Sequence, residues 1–137
     1  MNLRARIQTS FEQQTMMRTF GARLDDVAPG HVTISAPILL GSRQQQGFAH
    51  AALTFGLGDS AAGYAALTVI PEDQEVVTAE IKINLVAPAN GTHILARGRV
   101  IKPGRRLIVV TSEVFSVVNG DETLVAILQG TMVPVHA

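Results

Sequence analysis

Leu3, Ile7, Phe11, Met16 and Phe20 recur among polar residues at a loosely helical spacing, with Gly21 as a stop after them. The spacing predicts a short amphipathic helix over about 3–19. Over residues 23–38 the period changes to two, with Val32, Ile34 and Ala36 sharing one face and Ala28-Pro29-Gly30 supplying the turn before them, which reads as a hairpin. Residues 41–47 (GSRQQQG) have no period and read as a polar loop. Residues 50–70 form the longest apolar stretch, rich in alanine and set between Gly47 and Pro71, and predict a central helix over about 50–69. It approaches the length of a membrane span. Asp59 near its middle would cost ~3 kcal/mol in a bilayer, and Gly56, Gly58 and Gly63 dilute its hydrophobicity, so a membrane role is not expected.

After Pro71 the chain alternates as four strands, 76–87, 92–101, 105–118 and 123–133. They are separated by Ala89-Asn90-Gly91, Lys102-Pro103-Gly104 and Asn119-Gly120-Asp121. Each strand is expected to turn back antiparallel on the one before it. In the first, Val77, Ala79, Ile81, Ile83 and Leu85 alternate with Thr78, Glu80, Lys82 and Asn84, the mark of one buried face. Residues 107–110 (LIVV) are apolar on both faces, and the chain has only one helix long enough to cover a sheet. A second subunit is the economical cover. The fold class is therefore α+β, a single domain over 1–137 with a long central helix wrapped by an antiparallel sheet of five to six strands.

Composition narrows the function. Eleven basic and eleven acidic residues cancel, and aromatics are few, which argues against nucleic-acid binding. The absence of cysteine excludes disulfides, thiolate metal sites and a cysteine nucleophile. Only 16% of residues are charged, again suggesting apolar surface covered by another copy. The opening MNLRARIQTSFEQQ lacks the apolar stretch of a secretion signal, so a cytosolic address is expected.

Asp59 is the most informative residue, because a carboxylate inside an alanine-rich helix loses solvation and needs a reason to be there. Its helical neighbours Phe55, Gly56, Ala62 and Gly63 cannot pair with it, so a partner must come from outside the helix. A water-facing aspartate, or one bonded to a loop, remains the plainer alternative. At the helix start, Gly47-Phe48-Ala49-His50-Ala51 presents free N–H groups at the positive end of the macrodipole. The Ala51 N–H could stabilise an oxyanion on a carbonyl under attack. Simple capping is the commoner fate of such groups, and His50 is more often a cap than a proton carrier. Ala51 and Asp59 lie ~12 Å apart at the usual helical rise, too far for one reacting carbonyl. Two copies of the helix, antiparallel about a twofold axis, would bring Asp59 of one opposite Ala51 of the other. Ala61, Ala62 and Gly63 would permit that approach.

These residues carry a resemblance to the hotdog-fold thioesterases of the phenylacetate-degradation (PaaI-like) type. It runs through Gly47-Phe48-Ala49-His50, Gly58-Asp59-Ser60-Ala61, Thr78-Ala79-Glu80-Ile81-Lys82-Ile83-Asn84-Leu85 with Pro88-Ala89 and Gly91, and Gly104-Arg105-Arg106-Leu107, covering roughly 25–133. The resemblance implies that Asp59 attacks, or activates water against, an acyl-CoA thioester. It also implies that Ala51 supplies the carbonyl-polarising N–H, that Gln44 orients water or thioester, and that Thr78 of the neighbouring chain assists the carboxylate. The family usually reads His-Gly-Gly where this chain reads His-Ala-Ala, so the added methyl narrows the acyl pocket. Lys102, Arg105 and Arg106 around Pro103-Gly104 form a compact cationic group suited to the phosphates of coenzyme A, or an ordinary solvated hairpin, with Arg43 a weaker candidate. The expectation is thioester hydrolysis with no metal and no redox cofactor, by a dimer or a dimer of dimers. The rivals are a hotdog enoyl-thioester hydratase or dehydratase that depends on His50, and a binding protein that holds a CoA ester without cleaving it.

Overall fold

The structure, a computed structural model, describes residues 2–136. Helix α1 (Leu3–Gln13) begins at Asn2, whose side chain accepts from the Ala5 N–H at 2.8 Å, and α2 (Thr15–Phe20) ends at Gly21. The single helix predicted over 3–19 is thus two. The apolar spacing slips by one residue between Phe11 and Met16, and the chain answers with extended backbone at Gln14 (φ −84°, ψ 95°). The second helix is thereby re-aimed, burying Met17 while Met16 stays exposed.

Strands β1 (Arg23–Ala28) and β2 (His31–Pro37) form the predicted hairpin, and Val32, Ile34 and Ala36 are buried. Helix α3 (Ala51–Leu67) is capped by His50. Arg6 closes its other end, its guanidinium donating to the carbonyls of Leu67, Ile70, Pro71 and Gln74 at 2.8–3.1 Å. The remaining strands are β3 (Gln74–Leu85), β4 (His93–Lys102), β5 (Ile108–Val118) and β6 (Asp121–His136). All six join one antiparallel sheet in the order β1-β2-β4-β5-β6-β3, wrapped on α3. This is the α+β architecture expected. The layers meet closely at Gly98 of β4, where a Cβ would fall 2.2 Å from the Ala61 carbonyl oxygen, so only glycine lets strand and helix meet there.

Two further expectations are corrected. β3 does not turn back on β4; it pairs along its length with β6 at the far edge, and residues 86–92 cross the end of the sheet to reach β4. Gly91 does adopt positive φ (93°), but it is pressed under the end of β5, where a Cβ would lie 2.5 Å from the Val117 carbonyl oxygen. Its turn signal therefore serves a docking contact. The alternation read along β3 also fails, because Ala79 is a bulge: Thr78 pairs with Met132 and Glu80 with Thr131. The extra residue puts Thr78 on the same side as the inward-packed Val76, Ile81 and Ile83 and turns Val77 outward, while Leu85, on the inward side, is exposed at the end of the strand.

The two-faced run at 107–110 buries Ile108 and Val110 against the core and turns Leu107 outward, 59% exposed. Among the described residues no helix is long and apolar enough to cross a membrane.

Candidate active site

The side of α3 facing β3 presents Asp59, half-buried, to a cleft of about 180 Å³ bordered by Gly63, Tyr64, Thr78 and Met132. Its external partner is Thr78, whose Oγ1 donates to Asp59 Oδ1 at 2.8 Å and also lies 3.3 Å from Met132 Sδ. Burial pushes the Asp59 carboxyl above its ordinary range, and the Thr78 hydrogen bond opposes that push without cancelling it. Among the described residues no cation stands within ion-pair distance of it. This bond lies within one chain. The resemblance implied a threonine from the neighbouring chain; within one chain, the bulge at Ala79 turns Thr78 onto the helix side of its own sheet.

The cleft has a polar wall that the sequence did not reveal. Gln14, at the break between α1 and α2, accepts from Ser60 Oγ at 3.2 Å through Oε1 and donates through Nε2 to the Tyr64 hydroxyl at 3.1 Å. Ser10 donates to the same hydroxyl at 3.3 Å. The five-residue step from Phe11 to Met16 is the one signal that could have marked Gln14.

Gln44, His50 and Ala51 line a second cleft, of about 530 Å³, against residues 85–89 of the crossover. His50 Nδ1 accepts from the Ala52 N–H at 2.9 Å, so the ring caps α3 and carries its proton on Nε2. The neighbouring Ala51 N–H has no acceptor among the described residues. Gln44 is tied into its own loop, its Oε1 accepting from the N–H groups of Gln46 and Phe48. Arg43 holds that loop too, donating to the carbonyls of Gly47 (2.6 Å) and Ile38 (2.9 Å). The two clefts share no lining residue. One chain therefore does not bring Asp59 and Ala51 together, in keeping with their spacing on the helix.

Lys102, Arg105 and Arg106 are exposed where β4 turns into β5, and among the described residues their side chains make no ion pair. β5 starts at Ile108, paired with Met132, and Met132 pairs in turn with Thr78, so this turn lies at the Asp59 end of the sheet. The described residues contain no group of three or more His, Asp and Glu side chains arranged to hold a metal.

The sequence profile of the thioesterase superfamily matches residues 46–123, more than half of the chain and the span holding the helix cap, Asp59, Thr78 and the cationic turn. A crystal structure of a thioesterase family protein from Silicibacter pomeroyi superposes with a TM-score of 0.96 at 35% identity, covering 99% of this chain and 100% of that one. The PaaI protein of the phenylacetic acid degradation operon of E. coli shares the fold, with a TM-score of 0.87 at 17% identity over 98% of this chain and 94% of that one. A Saccharolobus solfataricus protein provisionally named an esterase is 36% identical over 87 residues, 64% of this chain, and the match spans 55% of that relative's length.

Proposed function

The chain belongs to the thioesterase superfamily, with the hotdog fold of its PaaI-like members, and on that footing we propose that it hydrolyses acyl- or aroyl-CoA thioesters at a site shared by two copies. The observation that carries the reading is Asp59 itself: a carboxylate half-buried in a cleft, held by one hydroxyl and, among the described residues, by no cation. Such a group is desolvated enough to react, and among the described residues no cation pairs with it.

In the proposed reaction Asp59 either attacks the thioester carbonyl carbon or takes a proton from the attacking water. Negative charge gathers on the carbonyl oxygen, where the unpartnered Ala51 N–H of the other copy stabilises it, aided by the helix dipole. The carbon–sulfur bond breaks, the CoA thiolate leaves and takes up a proton, and the acid departs. If Asp59 attacked, water hydrolyses the mixed anhydride before release. Thr78 orients the carboxylate and favours its ionised form, His50 fixes the helix start from which the Ala51 N–H projects, and Gln44 borders the same cleft. Lys102, Arg105 and Arg106 take the phosphates of CoA. The exposed outer face around Leu107 supports a dimer of dimers, and a cytosolic setting suits a CoA ester as substrate.

The test is Asp59→Asn, nearly isosteric, assayed by thiol release from a panel of acyl- and aroyl-CoA esters. Ester binding should persist while kcat falls at least ~10²-fold, the low end of what a positioned acid–base group supplies. Undiminished hydrolysis by Asp59→Asn, or binding without hydrolysis by the parent, would sink the catalytic reading.

A further inference from the structure

The N-terminal helices wall the Asp59 cleft with polar groups where an acyl pocket would be expected to be apolar. Gln14 is turned inward at the break in the helix, bridging Ser60 and Tyr64, while Ser10 adds a second donor to the Tyr64 oxygen. Tyr64 is only 8% exposed, its ring lying 6.1 Å from that of Phe11, yet it lines the cleft. A phenolic oxygen that accepts from both Ser10 and Gln14 keeps its own proton to give. Among the described residues that proton has no acceptor outside this cluster, and Tyr64 lines the cleft.

Tyr64 follows Asp59 by five residues, so the hydroxyl's helix position lies ~7.5 Å along the axis from the carboxylate. The cleft itself holds about 180 Å³. A cavity of about 150 Å³ holds a benzene-sized group, so the cleft of one chain has room for a compact acyl group.

Resting on the thioesterase reading above, we infer that Tyr64 and Gln14 form a distal subsite that selects short acyl groups ending in a hydroxyl or similar hydrogen-bonding group. An alkyl terminus there would leave the Tyr64 proton, which Gln14 helps to orient, desolvated without a partner, which disfavours it. Gln14 and Tyr64 are specificity residues; neither takes part in bond making.

The inference is tested by calorimetric binding of hexanoyl-CoA and 6-hydroxyhexanoyl-CoA to the full chain carrying Asp59→Asn, which slows turnover. The hydroxylated ester should bind roughly tenfold more tightly, the reach of one or two net hydrogen bonds. Adding Tyr64→Phe, which keeps the ring and its packing, should bring the two esters to near parity. Gln14→Leu should do the same through the other partner, with circular dichroism confirming that both variants fold. Equal affinity for the two esters in the Asp59→Asn protein overturns the subsite, as does a preference that survives both added substitutions. Dodecanoyl-CoA binding as tightly as the hydroxylated ester also overturns it. If the binding preference holds while the parent hydrolyses neither ester, the subsite stands and the catalytic reading falls.

Discussion

The Thr78 hydroxyl donates to Asp59 Oδ1 at 2.8 Å, joining a bulged edge strand to the middle of the long helix. The bond favours the ionised carboxylate and is the one influence opposing the upward push of burial. Thr78→Val keeps the shape and deletes the donor, so the Asp59 pKa should rise further. The acid limb of the kcat/KM profile should move to higher pH, with the largest loss at low pH and partial recovery as pH rises. Thr78→Ser should restore most of the parental profile. An unmoved acid limb in Thr78→Val would mean that Asp59 does not govern it.

Asp59 should also weaken the fold at neutral pH. Its pKa in the folded chain is raised, so the folded state holds the proton more tightly than the unfolded one does. Stability therefore falls as pH climbs from the ordinary aspartate range through the raised folded value, and stays lowered above it. Asp59→Asn removes the ionisation, and the asparagine oxygen can still accept from Thr78. The variant should melt at a higher temperature than the parent at pH 7, and the gap should close at pH values below the ordinary aspartate range. Melting curves across that span check both signs.

The central helix, the β1–β2 hairpin and the need for a partner to Asp59 were legible because each rests on local periodicity. The long-range choices were not. Which strand lies beside β3 depends on a sheet edge that alternation does not describe, and Gly91 shows the same left-handed signal whether it makes a hairpin or docks under Val117. A single bulged residue, Ala79, reverses the face of everything before it, so Thr78 reads from sequence as solvent-facing. Gln14 was hidden for another reason: its role comes from a helix break that brings it to Ser60 and Tyr64, 46 and 50 residues away.

The cationic turn should matter for binding and little for chemistry. Lys102, Arg105 and Arg106 are exposed, and phosphate contacts remote from the breaking bond persist from ground state to transition state. Replacing Arg105 and Arg106 together by alanine should raise KM for CoA esters severalfold or more at low salt, with kcat nearly unchanged. The difference should shrink as ionic strength rises. An unchanged KM would leave the turn as an ordinary solvated hairpin.

The sharing of one site by two chains can be tested directly, because one substitution removes the Ala51 N–H while sparing the helix. Ala51 is the first helical residue, where proline is well tolerated, and His50 before it already has the extended backbone that proline demands (φ −64°, ψ 145°). Ala51→Pro should therefore fold, and its kcat should drop ~10²- to 10³-fold, the usual cost of losing one oxyanion donor. Asp59→Asn should be similarly inactive. Unfolding and refolding the two variants together lets protomers reassort, and a mixed dimer then pairs the intact Asp59 of one chain with the intact Ala51 of the other. Random pairing makes half the dimers mixed, each with one working site of two, so about a quarter of parental activity should return. A site built within one chain would gain nothing from mixing. Recovery close to zero, with dimers present by sedimentation, would refute the shared site and with it the proposed oxyanion role of Ala51.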